Sequence, residues 1–230
     1  MINLGFIIQA RSGSKRLPDK VLLKIDKKNV LEHLISRIKK TKIKKKIIVA
    51  TSSLTKDKKI IQCAKKNNCF YFSGDEKNVL KRYYYAAKKY NLNIIIRVSA
   101  DSPFIDPVIL KKAFNTFKSN KYDYVSNIIK PSFPKGMSVE IFSFDCLEKT
   151  FLRAKSDADK EHVTKFMYRK QSLFRTRNFG LKISLRRYKF AIDTKKDFLI
   201  AKKIYDKLKK AKKQYTYKLK DLVNCYKQID

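Results

Sequence analysis

A few residues in this chain have types and spacings suited to phosphate chemistry. The stretch IIQARSGSKRLPDKVL, Ile7 to Leu22, breaks a short apolar run into Gln9, Ala10, Arg11, Ser12, Gly13, Ser14 and Arg16, with Lys20 close behind. Gly13 permits close backbone approach, and successive N–H groups in such a loop can face an anion. Arg11, Arg16 and Lys20 add positive charge. A planar guanidinium grips phosphate bidentately, which an ammonium cannot do. The stretch is neither GxxxxGK[ST] nor GxGxxG. The plainer reading is a basic surface loop, and the position directly after a buried strand counts against it.

Two carboxylates complement those cations. Asp101 lies in SADSPFID and Asp193 in AIDT, each expected at a strand end. Two acids from separate strand ends can hold Mg²⁺ against phosphate oxygens. The alternative for each is to cap the helix that follows it. Glu140, in SVEIFSF, is an acid inside an apolar strand. A buried unpaired carboxylate is costly, so it is expected to meet a ligand or a cation. His162 stands beside Glu161 in the polar segment DKEHVTKFM.

These residues need a frame that brings them together. LGFIIQA reads as a strand buried on both faces, and KIIVATS, CFYFSG and NIIIRVSAD read as further strands. Helical spacing joins Val30, Leu31, Leu34, Ile35 and Ile38, and further helices are expected over 56–67, 77–90 and 107–118. This alternation predicts a three-layer, mainly parallel α/β sheet. Ligands then bind beyond the carboxyl ends of the strands. The polar residues collect there: the opening loop, then Thr51 and Ser52, then Gly74 and Asp75, then Ala100, Asp101 and Ser102, and finally Asp193.

Beyond about residue 121 the rhythm changes. YDYVSNI and MSVEIFSF read as strands, 145–155 and 158–169 as helices, and SLFRTRNF and KISL as strands without a helix between them. YKFAIDT is expected to resume the sheet, followed by a helix over 196–212. The whole chain, 1–230, reads as one domain with a mixed-strand excursion at about 130–185.

The chain has 230 residues and a formal net charge of +36. Nucleic acid and anionic membranes are natural partners for such a charge. The lysines are spread over the whole sequence, while Gly and Pro number only 5 each and Trp is absent, which favours biased residue usage over a basic face. No apolar run approaches the ~20 residues that cross a bilayer, and a soluble, cytoplasmic protein is expected. Cys63, Cys69, Cys146 and Cys225 form no CxxC pair, so reduced thiols are expected rather than structural zinc or disulfides.

Six stretches, in order, resemble the cytidylyltransferases that activate sugar acids, most closely the branch of spore coat polysaccharide biosynthesis. That branch opens with a pattern like IIQARxGSxRLPGKVL. Its further motifs are matched here by VLKRYYYAA, SADSPFID, GMSVEIFS, EHVTKF and IDTKKDF. The resemblance implies a Rossmann-like, GT-A-type nucleotidyltransferase fold, CTP as donor and Mg²⁺ as cofactor. It implies catalytic roles for Arg11, Lys20 and Asp101, and metal binding by Asp101 and Asp193. Nucleotide contacts are expected from Gln9, Ala10, Arg11, Gly13, Ser14, Arg16, Lys20, Thr51, Ser52, Asp75, Arg82 and Ala100. The acceptor is expected at Asn127, Gly136, Glu140, Glu161 and His162, and a homodimer through the excursion. Two positions depart from the pattern. Asp19 stands where Gly is usual, and Asp tolerates left-handed backbone angles better than most residues. Ser138 replaces an acid in the acceptor region.

The expected activity is transfer of CMP from CTP to an acidic, nonulosonate-like sugar with release of pyrophosphate. A phosphorylated alcohol or phosphonate is the alternative acceptor. A basic nucleic-acid-binding protein without catalysis is the alternative class; it requires a concentrated basic face with interleaved aromatics. RYYYAAKKY is the one stretch of that kind, and its aromatics suit helix packing better.

Overall fold

The computed structural model describes residues 3–119 and 121–229. Four strands form its parallel half: β1 (Leu4–Gln9), β4 (Lys46–Ser52), β5 (Phe70–Gly74) and β6 (Ile94–Ser99). They lie in the order β5-β4-β1-β6. The chain leaves β1 for β4 and β5 on one side and returns to β6 on the other. The crevice where strand order reverses, beside β1, is therefore the expected ligand position. A small hairpin, β2 (Lys24–Ile25) and β3 (Lys28–Asn29), follows the opening loop and leads into α1 (Val30–Lys39).

Helices cover both faces. On one face α1, α2 (Lys58–Lys66), α4 (Pro107–Phe117), α8 (Lys195–Lys210) and α9 (Leu219–Lys227) contribute to a core that includes Phe6, Ile8, Leu34, Leu110, Ile204 and Leu222. On the other, α3 (Val79–Lys89), α5 (Phe144–Arg153), α6 (Asp157–His162) and α7 (Lys165–Arg169) pack over Ile7, Ile95, Tyr83, Tyr124 and Phe142. The alternation of Ile7 and Ile8 between the two cores is the period-2 geometry of a strand buried on both faces.

The other half of the sheet is mixed. β8 (Glu140–Ser143) runs antiparallel to both β6 and β7 (Tyr124–Ser126), and β9 (Thr176–Asn178) pairs in parallel with β7 at the edge. Several expectations need correction here. KISL forms no strand, and YKFAIDT does not rejoin the sheet. It lies extended against a loop instead: Phe190 N and Ala191 N both donate to the carbonyl of Lys135, at 2.7 and 3.2 Å. Ile192 N donates to the carbonyl of Asp101 at 2.9 Å. Gly136 makes this approach possible. Its φ is +95°, and a Cβ there would fall 2.6 Å from Ala191 N. The helix expected over 158–169 is broken in two at Val163, which has φ 51° and ψ −59°.

The helix starts follow their caps. Asn29 caps α1 with a reciprocal Glu32, and Ser143 caps α5. Asp106 serves two helices. Its Oδ1 accepts from Val108 N at 2.9 Å to cap α4, and its Oδ2 accepts from Leu219 N at 2.8 Å at the start of α9. Buried Arg37 of α1 ties the same region together. It donates to the carbonyls of Ile105 and Tyr217, at 2.9 and 2.8 Å, and its guanidinium lies 3.8 Å from the Tyr217 ring centroid. Among the described residues no helix is long and apolar enough to cross a membrane, and all four cysteines are free thiols.

Candidate active site

The opening loop is shaped by an acid on a neighbouring element. Asp57 is fully buried. It accepts from Ser12 N at 2.8 Å, from Thr51 Oγ1 at 3.0 Å, and from Ser52 N and Oγ. Ser12 O in turn accepts from Ser14 N and Asp19 N, at 2.8 and 3.1 Å, which curls the loop. Asp19 adopts φ 53° and ψ 18°, so the left-handed angle expected of it is found. Burial pushes the Asp57 carboxyl up, but the Ser52, Ser12 and Thr51 donors outweigh burial and hold it below its usual range.

A cavity of about 640 Å³ opens beside this loop at the carboxyl ends of β1 and β6. Gln9, Ala10, Ser99, Ala100 and Asp101 line it from the strand ends, and Arg11, Gly13, Ser14, Arg16 and Lys20 from the loop. Glu76, Lys77, Val79 and Arg82 line it from the start of α3, and Glu161 and His162 from α6. Arg82 is 2% exposed. Its Nη1 donates to the carbonyls of Asp75 and Glu76, at 3.0 and 3.3 Å, while its Nε has no partner among the described residues. Burial pulls the Arg82 pKa down.

Asp101 and Asp193 do converge. Lys20 Nζ donates to Asp101 Oδ2 at 2.9 Å and to Asp193 Oδ1 at 3.1 Å. Lys189 reaches the other Asp193 oxygen at 3.1 Å, and Arg16 approaches at 3.4 Å. Burial pushes the Asp193 carboxyl up, and the Lys189 and Lys20 ammonium groups more than offset it. Asp193 does not come from a strand end as expected. The Ile192–Asp101 backbone bond brings it to the site. Among the described residues no three His, Cys, Asp or Glu side chains are grouped to hold a metal. Two carboxylates aimed at one point nonetheless fit Mg²⁺, which is bound through one or two carboxylates with substrate phosphates and water completing the octahedron. Asp101 and Asp193 would hold it, at the point that the Lys20 ammonium now bridges.

Besides Asp193, six expected contacts lie outside the cavity lining. Thr51 and Ser52 are buried behind the loop as donors to Asp57, because both point back at that acid. The Asp75 carboxylate turns to Lys77 N and Asn78 N, each at 2.9 Å, at the start of α3. Asn127 is buried between Met137 O and Val139 N, at 2.8 and 2.9 Å. Gly136 serves backbone packing. Glu140 is the last of the six: it is 2% exposed and its cation is internal, the guanidinium of Arg97. Tyr124 and Thr164 donate their hydroxyls to its second oxygen.

Sequence reasoning passed over Arg97, Asp57 and Lys189. Arg97 was detectable. It is a lone cation in the apolar strand NIIIRVSAD, and Glu140 is a lone acid in another. Each is the partner that the other requires.

A parallel-sheet crevice with a cationic loop beside two convergent acids has the layout of a nucleotidyltransferase on a Rossmann-like sheet. Residues 5–229 match the cytidylyltransferase family model, and the chain belongs to that family. It is 40% identical to an uncharacterized protein of Methanocaldococcus jannaschii, over 89% of this chain and 82% of that one. It is 30% identical to the spore coat polysaccharide biosynthesis protein SpsF of Bacillus subtilis, over 90% and 88%. A 3-deoxy-manno-octulosonate cytidylyltransferase of Chloroherpeton thalassium is 27% identical over 54% of this chain and 50% of its own. Among solved structures, a cytidylyltransferase of Leptospira borgpetersenii superposes with a TM-score of 0.93 at 29% identity, covering 100% of this chain and 95% of that one.

Proposed function

We propose that this chain transfers CMP from CTP to an acidic sugar and releases pyrophosphate. The observation that carries the reading is the cavity that the cationic opening loop shares with Asp101, where Lys20 of that loop also binds Asp193 just outside the lining. An acceptor oxygen attacks the α-phosphorus of CTP in line. The new P–O bond forms as the bond to the β-phosphate bridging oxygen breaks, and that oxygen leaves with pyrophosphate. Arg11, Arg16 and Lys20 meet the charge on the departing phosphates, and loop N–H groups orient them. Bound Mg²⁺ would supply charge neutralisation across the phosphate oxygens and a lowered pKa for the acceptor hydroxyl. Lys20 is then free to leave the two acids for the phosphates. Glu161 and His162 face the acceptor from the α6 wall.

The choice of a sugar acid is supported by the excess of cations in the cavity. The relatives named for spore coat polysaccharide and for 3-deoxy-manno-octulosonate add to it, and surface polysaccharide synthesis is the pathway class they suggest. Within one domain, residues about 130–185 would serve acceptor binding and homodimer formation. Exposed Leu173 and Ile183 in that stretch support the second role, and light scattering at micromolar concentration tests it, a monomeric mass refuting it. The activity is tested by incubating the protein with Mg²⁺, each of the four nucleoside triphosphates and a panel of sugar acids, with products read by mass. A CMP-sugar formed from CTP alone is expected. Equal turnover of all four nucleotides, or no CMP-linked product with any acid, would overturn the reading.

A further inference from the structure

Arg97 and Glu140 face one another across the antiparallel pair β6–β8. Arg97 Nη1 is ion-paired with Glu140 Oε1. Its remaining donors point elsewhere: Nε and Nη2 reach Gln9 Oε1 at 3.2 and 3.0 Å. A guanidinium has donors and no acceptor. The Gln9 amide must therefore turn its oxygen to Arg97, because a flip would set N–H groups against N–H groups. Its NH₂ is left facing away from Arg97. Gln9 lines the cavity, and among the described residues no hydrogen bond joins its Nε2 to the protein.

Glu140 also reaches the opposite wall. Thr164, whose hydroxyl donates to Glu140, closes a three-residue turn by donating its N–H to the carbonyl of His162 at 2.5 Å. Val163 sits at the centre of that turn at φ 51° and ψ −59°, a strained conformation for a β-branched residue. Such strain persists only where the surroundings hold it. Here Val163 is fully buried and Thr164 is fixed by Glu140. One carboxylate thus governs the amide on the cavity floor and the turn that carries His162.

We propose that Arg97 and Glu140 are positioning residues that lock the Gln9 amide with its NH₂ toward the cavity, making Gln9 a specificity-determining hydrogen-bond donor to a substrate oxygen. The inference rests on the cytidylyl-transfer reading only for the identity of the two ligands. The oxygen is a carbonyl, hydroxyl or carboxylate oxygen, carried by the nucleotide or by the sugar acid. A ligand that presents an N–H there leaves two donors unpaired and is rejected.

The Gln9 side-chain NH₂ can be followed by NMR in protein labelled with ¹⁵N-glutamine, the signal being assigned by its loss in Gln9→Met. Its position is read on adding CTP with Mg²⁺ and, separately, 3-deoxy-manno-octulosonate. One of these ligands is expected to move it, which identifies the source of the oxygen. Gln9→Glu still offers Arg97 an acceptor and so keeps the wild-type melting temperature. It turns an acceptor to the cavity and weakens binding of that same ligand by about tenfold or more in calorimetry. Arg97→Lys keeps Glu140 paired but loses the fork, so the Gln9 signal broadens or splits and the same ligand weakens. The proposal is overturned if neither ligand moves the signal, if Arg97→Lys leaves it unchanged, or if Gln9→Glu binds both ligands like wild type. A wild-type protein that binds no CTP sinks the cytidylyl-transfer reading instead, while the Arg97→Lys spectrum still decides the positioning role.

Discussion

Two sets of acids surround the cavity, and they are held in opposite ways. Asp57 and Glu140 are buried, and short neutral donors or one guanidinium satisfy both oxygens of each. Asp101 and Asp193 are about a fifth exposed, and Lys20, Lys189 and Arg16 meet them at the ends of long flexible stems. The first arrangement is expensive to disturb, since a buried group that loses its partner keeps its desolvation cost. The second is easily exchanged, since ammonium groups near water gain little from any one geometry. Buried acids therefore shape the walls, and the open pair can exchange its partners at little cost.

The sharpest break in this comparison is on the open side. Asp101→Asn and Asp193→Asn should each lower turnover by about a hundredfold or more and leave melting close to wild type. Turnover is measured as pyrophosphate release across a Mg²⁺ series. Wild-type rates at limiting Mg²⁺ would return both acids to a capping role.

On the buried side the effect should fall on stability. Glu140→Gln strands the Arg97 charge and should cost about 3–5 kcal/mol, read from urea unfolding midpoints. A loss comparable to that of a surface substitution would show that the Arg97–Glu140 pair is not what holds this wall.

Asp57→Asn should cost about 1–3 kcal/mol, since the amide nitrogen confronts donors where an oxygen accepted. The wild-type acid also gives a pH signature. Its folded pKa lies below the unfolded value of ~3.9. Its contribution is therefore complete above that value and is lost as pH falls through the lowered one. The acid limb of stability below pH ~4 should be shallower in Asp57→Asn than in wild type. Identical limbs would show that Asp57 carries no linkage.

The smallest effect has the least obvious sign. Lys20→Met removes the cation that bridges Asp101 and Asp193. It should lose turnover yet bind Mn²⁺ alone more tightly, by roughly fivefold, the scale of one partly exposed ion pair. Weaker Mn²⁺ binding in the variant would mean that Lys20 and the metal do not share those oxygens.

The parallel half was legible because continuous apolar runs and turn residues mark strands buried on both faces, as in LGFIIQA and KIIVATS. Elsewhere local pattern and tertiary contact diverge. YKFAIDT has the composition of a strand, but Gly136 lets its backbone bond to a loop and to Asp101 instead. The break at Val163 has no local signal, because it depends on Glu140 from a distant strand. The helix α9 was passed over, although LKDLVNCYK carries helical spacing in Leu219, Leu222 and Val223. Thr51 and Ser52 sit at a strand end as expected. Which way a hydroxyl there points depends on Asp57, five or six residues on.

Asp106 has a kinetic consequence. One side chain starts two helices more than a hundred residues apart in sequence, and Arg37 clamps the backbone beside each of them. Opening of the α4 start takes the acceptor away from Leu219 N, whereas release of Leu219 leaves the Asp106 cap on Val108 N in place. In native-state hydrogen exchange, the first-turn amides of α9 should therefore be no better protected than those of α4. Opening of the region around Ile105 thus exposes the backbone near Leu219 to a protease, while cleavage near Leu219 leaves the α4 cap standing.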